Sequence, residues 1–219
     1  IGSGTTLAPF SMVPTPSHIF PFSLSFLSLE FSRGFSDTTY VLPLFLSHPI
    51  TSLSLTFDPE ERTDFSIFFE STLDLLSTLG HRLTELKING NEGSHWTTLI
   101  NGLEPFLTLC THLDTMHLPL DALPLLSHLP TPIQTLVICG SRYGTDDASL
   151  DDIAALDTIL ERRWKAVGGL EEIRFEEVTD LKERKAGREF VERAGRRGIR
   201  VVMEEGQVVH EVEEVRGRQ

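Results

Sequence analysis

The stretch Leu83-Thr84-Glu85-Leu86-Lys87-Ile88-Asn89-Gly90-Asn91 constrains this chain more than any other. Its apolar residues fall at the first, fourth and sixth places, and an asparagine closes it at the ninth. Successive strand side chains point to opposite faces, so Leu86 and Ile88 share one face of a short strand. Leu83 packs at the strand's entry. A polar side chain at the ninth place can hydrogen-bond the loose backbone where the strand turns away. The same frame recurs along the chain. Leu24, Leu27 and Leu29 precede Ser32; Ile50, Leu53 and Leu55 precede Asp58; Leu113, Met116 and Leu118 precede Asp121. Ile133, Leu136 and Ile138 precede Ser141, and Leu170, Ile173 and Phe175 precede Val178, the one frame without a polar closing residue. Ile199–Met203 is a weaker seventh strand.

The frames are separated by 26, 33, 30, 20 and 37 residues. These steps scatter around a period of roughly 20–29, and the L-x-x-L-x-I-x-x-N pattern resembles the leucine-rich repeat. A second self-similarity agrees with the first. Leu42-Pro43-Leu44-Phe45-Leu46-Ser47-His48 resembles Leu123-Pro124-Leu125-Leu126-Ser127-His128, and Glu104-Pro105-Phe106-Leu107 occupies the same place before Leu113. Proline presets φ and is tolerated in a helix's first turn, so these segments read as short return helices. The resulting expectation is an α/β leucine-rich-repeat solenoid. Short parallel strands line its concave face and helices cover the convex face.

Strands are expected at about 23–31, 50–57, 84–89, 113–118, 133–139, 170–175 and 199–204. Between them, a short helix or turn is expected at 37–48 and another at 121–128. Apolar residues at helical spacing predict a helix from Thr63 to Leu79, carrying Phe65, Phe68, Phe69, Leu73, Leu76 and Leu79 and ended by Gly80. Ser94 is placed to cap a helix bearing Trp96, Leu99, Ile100, Leu103 and Phe106. The strongest helical pattern runs from Asp146 to Val167, and a last helix spans about 180–196, closed by Gly198. The aromatic first strand, with Phe20, Phe22, Phe26 and Phe31, reads as a terminal repeat facing a missing neighbour.

The domain expectation is a linker or imperfect first repeat at 1–19, the repeat domain at 20–205, and a charged, frayed tail at 206–219. Two cysteines, Cys110 and Cys139, are too few for a disulfide framework and suit a reducing, intracellular compartment, cytoplasmic or nuclear. Both are expected to be small buried hydrophobes. No apolar run reaches the roughly 18 residues of a membrane span, and no basic leader opens the chain. Residues 1–159 carry 5 Lys/Arg against 18 Asp/Glu, whereas residues 160–219 carry 14 of each. The acidic part argues against nucleic-acid binding, which needs a clustered basic face. Arg184, Lys185, Arg188, Arg193, Arg196, Arg197 and Arg200 are interleaved with Glu183, Glu189 and Glu192, which reads as a solvated helix.

The frames at Leu83–Asn91 and Ile133–Ser141 and the L-P-L-x-x-S-H segments, taken with the ending Gly187-Arg188-Glu189-Phe190-Val191-Glu192-Arg193 to Gly198-Ile199-Arg200-Val201, carry a family resemblance. Over roughly 20–205 the chain resembles the repeat part of F-box-like proteins common in fungi. In that family an F-box segment before the repeats docks on a Skp1-type adaptor of a ubiquitin ligase, and the repeats hold the substrate. The resemblance therefore implies a substrate-recognition module whose adaptor contact would lie upstream of Ile1. No F-box-like segment is found in the chain itself. The alternative is a leucine-rich-repeat scaffold with no ubiquitin role.

No G-x-S-x-G, H-E-x-x-H, Walker or C-x-x-C motif occurs, so no enzyme activity and no cofactor are expected. His112, His117 and Asp114 are read as structural or solvated rather than as metal ligands, and no metal is expected. Asp146, Asp147, Asp151 and Asp152 are read as complementing a helix dipole. If the concave strands hold a protein, the residues between the fixed apolar ones carry the contact. Those are Thr84, Glu85 and Lys87, then Asp114, Thr115 and His117, then Glu171, Glu172 and Arg174. The charged and imidazole groups among them (Glu85, Lys87, Asp114, His117, Glu172 and Arg174) are the candidate binding residues.

Overall fold

A computed structural model describes residues 23–31, 45–57, 72, 76–90, 96–139, 160–161, 167–176 and 185–203. The expected linker at 1–19, the tail at 206–219, most of the helices at 37–48, 63–79 and 146–167, the Ser94 cap and the closing residues Ser32, Asp58, Asn91, Ser141 and Val178 lie outside these residues.

Each frame becomes a strand. They are β1 (Phe26–Phe31), β2 (Ser52–Phe57), β3 (Glu85–Gly90), β4 (Thr115–Pro119), β5 (Thr135–Cys139), β6 (Glu172–Glu176) and β7 (Arg200–Met203). They form one parallel sheet in which every strand pairs with the next in sequence, β1 through β7. The expected α/β class with parallel strands is what the chain adopts.

A repeated backbone contact sets the register. The carbonyl after each frame's first residue accepts two N–H groups from the next unit. Ser25 receives Thr51 and Ser52, Thr51 receives Thr84 and Glu85, and Thr84 receives Asp114 and Thr115. Asp114 then receives Gln134 and Thr135, and Gln134 receives Glu171 and Glu172. The frames are therefore structurally equivalent, residue for residue. Their fourth places stack as Leu53, Leu86, Met116, Leu136 and Ile173, all fully buried.

The seventh unit is shifted by one residue. Val201, not Val202, pairs with Ile173. The cause is the preceding turn. Helix α2 (Lys185–Arg196) ends where Ile199 N–H donates to Ala194 C=O and Gly198 N–H to Gly195 C=O, the paired bonds of a Schellman cap. That cap needs a left-handed residue, and Gly198 has φ 77°. Ile199 is thus buried as part of the helix cap and is not a strand-entry residue.

Helices cover one face. Helix α1 (Trp96–Leu107) buries Leu99, Leu103, Phe106 and Leu107, and it packs beside a 3-10 helix at Leu120–His128. The frames flanking that 3-10 helix are only 20 residues apart. The return path is correspondingly short, and the tighter helix contains Pro124. Residues 76–80 are helical, with Leu76 and Leu79 fully buried. A Cβ on Gly80 would lie 2.8 Å from the Leu109 Cβ, so glycine permits this backbone to approach the next unit. Phe175 meets Phe190 of α2 edge-on, at 6.3 Å. Phe31 stacks on Phe57 of β2 with centroids 5.0 Å apart. Phe26, at the first strand, is 55% exposed.

Pairing of β3 with β4 stops at Lys87 and His117. Thr115 N–H points toward β3, so by two-residue alternation position 119 would be the next donor but one on that side. Pro119 has no N–H to give.

Candidate functional site

The sheet's other face carries the candidate residues. The inward parity of Leu86 and Ile88 turns Glu85, Lys87 and Asn89 outward, and the same parity turns out Thr115 and His117, then Thr135, Val137 and Cys139, then Glu172, Arg174 and Glu176. Two groups of charge form on this face.

The first spans β3 to β6. His117 Nε2 lies 3.1 Å from Glu85 Oε1, and its other nitrogen, Nδ1, is 3.9 Å from Glu176 Oε1. Lys87 Nζ reaches Glu176 Oε2 at 3.8 Å across two intervening strands. Cys139 Sγ donates to the same carboxylate oxygen at 3.7 Å. Beneath, Val137 is only 2% exposed although it belongs to this face, flanked in register by His117 and Arg174. Burial pushes the His117 imidazole below its ordinary value of 6.5, against the pull of Glu176 and Glu85; the Lys87 ammonium adds to the depression. The ring is therefore held neutral.

The second group is Glu172 between two arginines. Its carboxylate is 3% exposed and accepts from Arg174 Nε, two residues along β6, and from Arg200, directly opposite on β7. Burial alone would raise this carboxyl, but the two guanidinium hydrogen bonds overturn that and hold it below the usual 4.5.

Of the six candidates, the structure gathers Glu85, Lys87 and His117 into one group and Glu172 and Arg174 into the other. Asp114 stands apart. It is exposed at the entry edge of β4, on a groove shared with His81, Arg82, Thr84, His112 and Thr131. Its backbone carries the register, while its side chain is off the strand face. Glu172 is also not an open contact residue, because its two arginines occupy it.

Sequence reasoning missed Glu176, Cys139 and Arg200. Cys139 corrects the expectation of two buried thiols. Cys110 is buried, with its thiol pushed up to about 12 by desolvation, whereas Cys139 is half-buried on the open face. Alternation from Leu136 and Ile138 carried that signal. Within Lys185–Arg196 the basic helix behaves as read, with exposed i,i+4 pairs Lys185–Glu189 at 3.7 Å and Glu192–Arg196 at 3.8 Å, but Arg200, read into the same solvated helix, lies on β7 and pairs with buried Glu172.

No family model and no curated protein matches this sequence. Among solved structures, the chain is similar to the leucine-rich repeat-containing protein LegL7 from Legionella pneumophila. The two are 16% identical, the match covers 86% of this chain and 59% of that one, and the TM-score is 0.49. It is also similar to an enolase-superfamily member from Listeria innocua, 12% identical over 83% of this chain and 43% of that one, with a TM-score of 0.35. The chain thus spans about three fifths of the first protein's length and less than half of the second's. Neither likeness, at these identities and scores, assigns a family. No helix among the described residues is long and apolar enough to cross a membrane.

Proposed function

We propose that this chain is a leucine-rich-repeat solenoid whose open sheet face holds another protein. One observation carries the reading. Four consecutive strands, β2 to β5, present the polar or charged side chains Ser52, Glu85, Thr115 and Thr135 in one unbroken cross-strand row. A face of that kind offers fixed, regularly spaced hydrogen-bonding groups to an extended surface, and repeat proteins use such faces for binding. The mixed signs of Glu85, Lys87, Arg174 and Glu176 suit a polypeptide partner better than a polyanion.

A photo-crosslinking residue at Ser52 or Thr135 tests this in cells, against the same residue at Lys185 on the helical side. A protein adduct is expected from the face positions only. Adducts of equal yield from Lys185, or none from the face, refute the proposal. Neutralising Lys87 and Arg174 together, each to methionine, should weaken that adduct, with a stability loss of only about 1 kcal/mol from the Arg174–Glu172 contact.

The resemblance to F-box-like proteins makes the bound protein a ubiquitin-ligase substrate. That finer reading is supported by the resemblance of the frames and of the L-P-L-x-x-S-H segments alone. Retention of a Skp1-type adaptor by the full-length gene product is its expected outcome. Without such retention, a scaffold with no ubiquitin role stands.

A further inference from the structure

We propose that His117, Cys139 and Glu176 form a zinc site on the open face, with Glu85 orienting the histidine from behind. One imidazole nitrogen, the Cys139 sulfur and a Glu176 oxygen lie within 4.8 Å of one another. They come from β4, β5 and β6, three neighbouring strands, so the backbone hydrogen bonds of the sheet fix their spacing.

The second observation is an unsatisfied atom. His117 Nδ1 is shut off from solvent and has no hydrogen-bond partner among the described residues. Instead it faces Glu176 Oε1 at 3.9 Å, too far to bond and close to the gap that a shared cation fills. Zinc bonds of about 2.0–2.1 Å to nitrogen, 2.3 Å to sulfur and 2.0–2.2 Å to oxygen, set tetrahedrally, separate the donors by roughly 3.3–3.6 Å. Nδ1 lies 3.9 Å from Glu176 Oε1, Cys139 Sγ lies 3.7 Å from Glu176 Oε2, and one donor from each residue falls within 4.8 Å of the others; a turn of the carboxylate and side-chain closure of up to about 1 Å bring the set to that spacing.

The other imidazole nitrogen completes the argument. Nε2 faces Glu85 Oε1 at 3.1 Å, and a proton held between them leaves the lone pair on Nδ1. A carboxylate behind a histidine, fixing its tautomer, is the usual outer partner of a metal-bound imidazole. The donor set of thiolate, imidazole and carboxylate suits zinc and excludes magnesium and calcium, which take oxygen ligands. Three protein donors leave the fourth position for water or for a group of a bound protein. On binding, the Cys139 thiol loses its proton to solvent, and the metal displaces the Lys87 ammonium from Glu176. The Pro119 break in the β3–β4 ladder lies at the same level of the sheet, where Glu176 reaches across.

The test uses the reduced, chelator-treated 219-residue chain titrated with Co(II) and then Zn(II). One Co(II) per chain is expected, with a near-ultraviolet sulfur-to-cobalt charge-transfer band that zinc abolishes. Cys139→Ser should remove the band. Glu176→Gln and His117→Ala should each weaken binding at least tenfold, and Glu85→Gln by about 10- to 100-fold. His112→Ala, at the distant groove, should change nothing. No band at saturating Co(II) overturns the proposal, and so does a band that survives Cys139→Ser. Should that variant fail to fold by circular dichroism, undiminished affinity in Glu176→Gln, which keeps the side chain's shape, overturns it equally. Metal binding and protein crosslinking are separate readouts, so either can fail without the other.

Discussion

Replacing Arg174 and Arg200 by methionine, singly and together, measures what holds the C-terminal end of the sheet. Methionine keeps much of each apolar stem and removes the guanidinium. Breaking a fully buried ion pair by deleting one partner costs about 3–5 kcal/mol, whereas a surface pair is worth about 0–1 kcal/mol. Glu172 is buried, but the Arg174 and Arg200 side chains are 55% and 58% exposed, so water screens each contact. Each single variant should therefore lose about 1 kcal/mol, because the carboxylate keeps its other arginine. The double variant should lose about 3 kcal/mol, since a buried carboxylate is then left alone. The excess over the sum, about 1 kcal/mol, is the coupling through the shared carboxylate. Urea unfolding at neutral pH followed by far-ultraviolet circular dichroism reads all three values. The pH profile adds a check of sign. In the native chain the Glu172 carboxyl sits below 4.5, so its contribution is complete above that value and is lost as pH falls through the lower folded one. Without its arginines, burial alone acts and raises the carboxyl. The double variant should then be penalised as pH rises above 4.5, the opposite slope. A double variant that loses no more than the sum of the two singles, or an unchanged acid-side slope, would refute the reasoning.

The two thiols should separate cleanly. In chelator at mildly alkaline pH, one thiol per chain, Cys139, should react with Ellman's reagent, while Cys110, its thiol held near about 12 by burial, reacts only on unfolding; two fast thiols, or none, would contradict the placement. Gly198→Ala should cost about 1 kcal/mol through φ strain alone, since a Cβ there meets nothing within 4 Å. Gly198→Asn should cost less, because asparagine tolerates the left-handed cap, and equal urea midpoints for the two variants would argue against the cap.

Much of the fold was legible because the frame repeats a physical requirement. A strand that buries one face needs Leu86 and Ile88 two apart, and a chain that re-enters the sheet needs Leu83 at the door. Those residues lie where the frame puts them, and so do their counterparts from β2 to β6. The seventh frame slipped because Ile199 answers to a helix cap as well as to a strand, and apolarity alone does not distinguish the two roles. The site was half legible. Parity gave the outward direction of Glu85, Lys87, His117 and Arg174. It could not say that Glu172, on the same face, is buried, because that depends on Arg200 arriving opposite it from 28 positions later in the chain. Nor could it show that Glu176 leans back over two strands to Lys87. That meeting follows from a register without slip, which the sequence implies only once every frame is aligned.

Parallel sheets are usually covered on both faces, and their strands then read as unbroken apolar runs. These strands do not. Their outward row runs from Ser52 to Glu85 and Lys87, to His117, to Thr135 and Cys139 with buried Val137 between them, and to Arg174 and Glu176. A second covering layer would have to bury those groups at a cost that apolar packing does not repay. The polar row is thus a reason for this face to stay open, independent of any partner. The charges on it are already paired across strands, through Lys87–Glu176 and Glu172–Arg200, and Glu85 accepts from the neutral His117 ring. A ligand that binds here must exchange those contacts for its own. Such exchange favours partners that match the pattern of charge and penalises those that merely bring apolar area. Selectivity on this surface accordingly resides in the same ion pairs that hold the side chains in place.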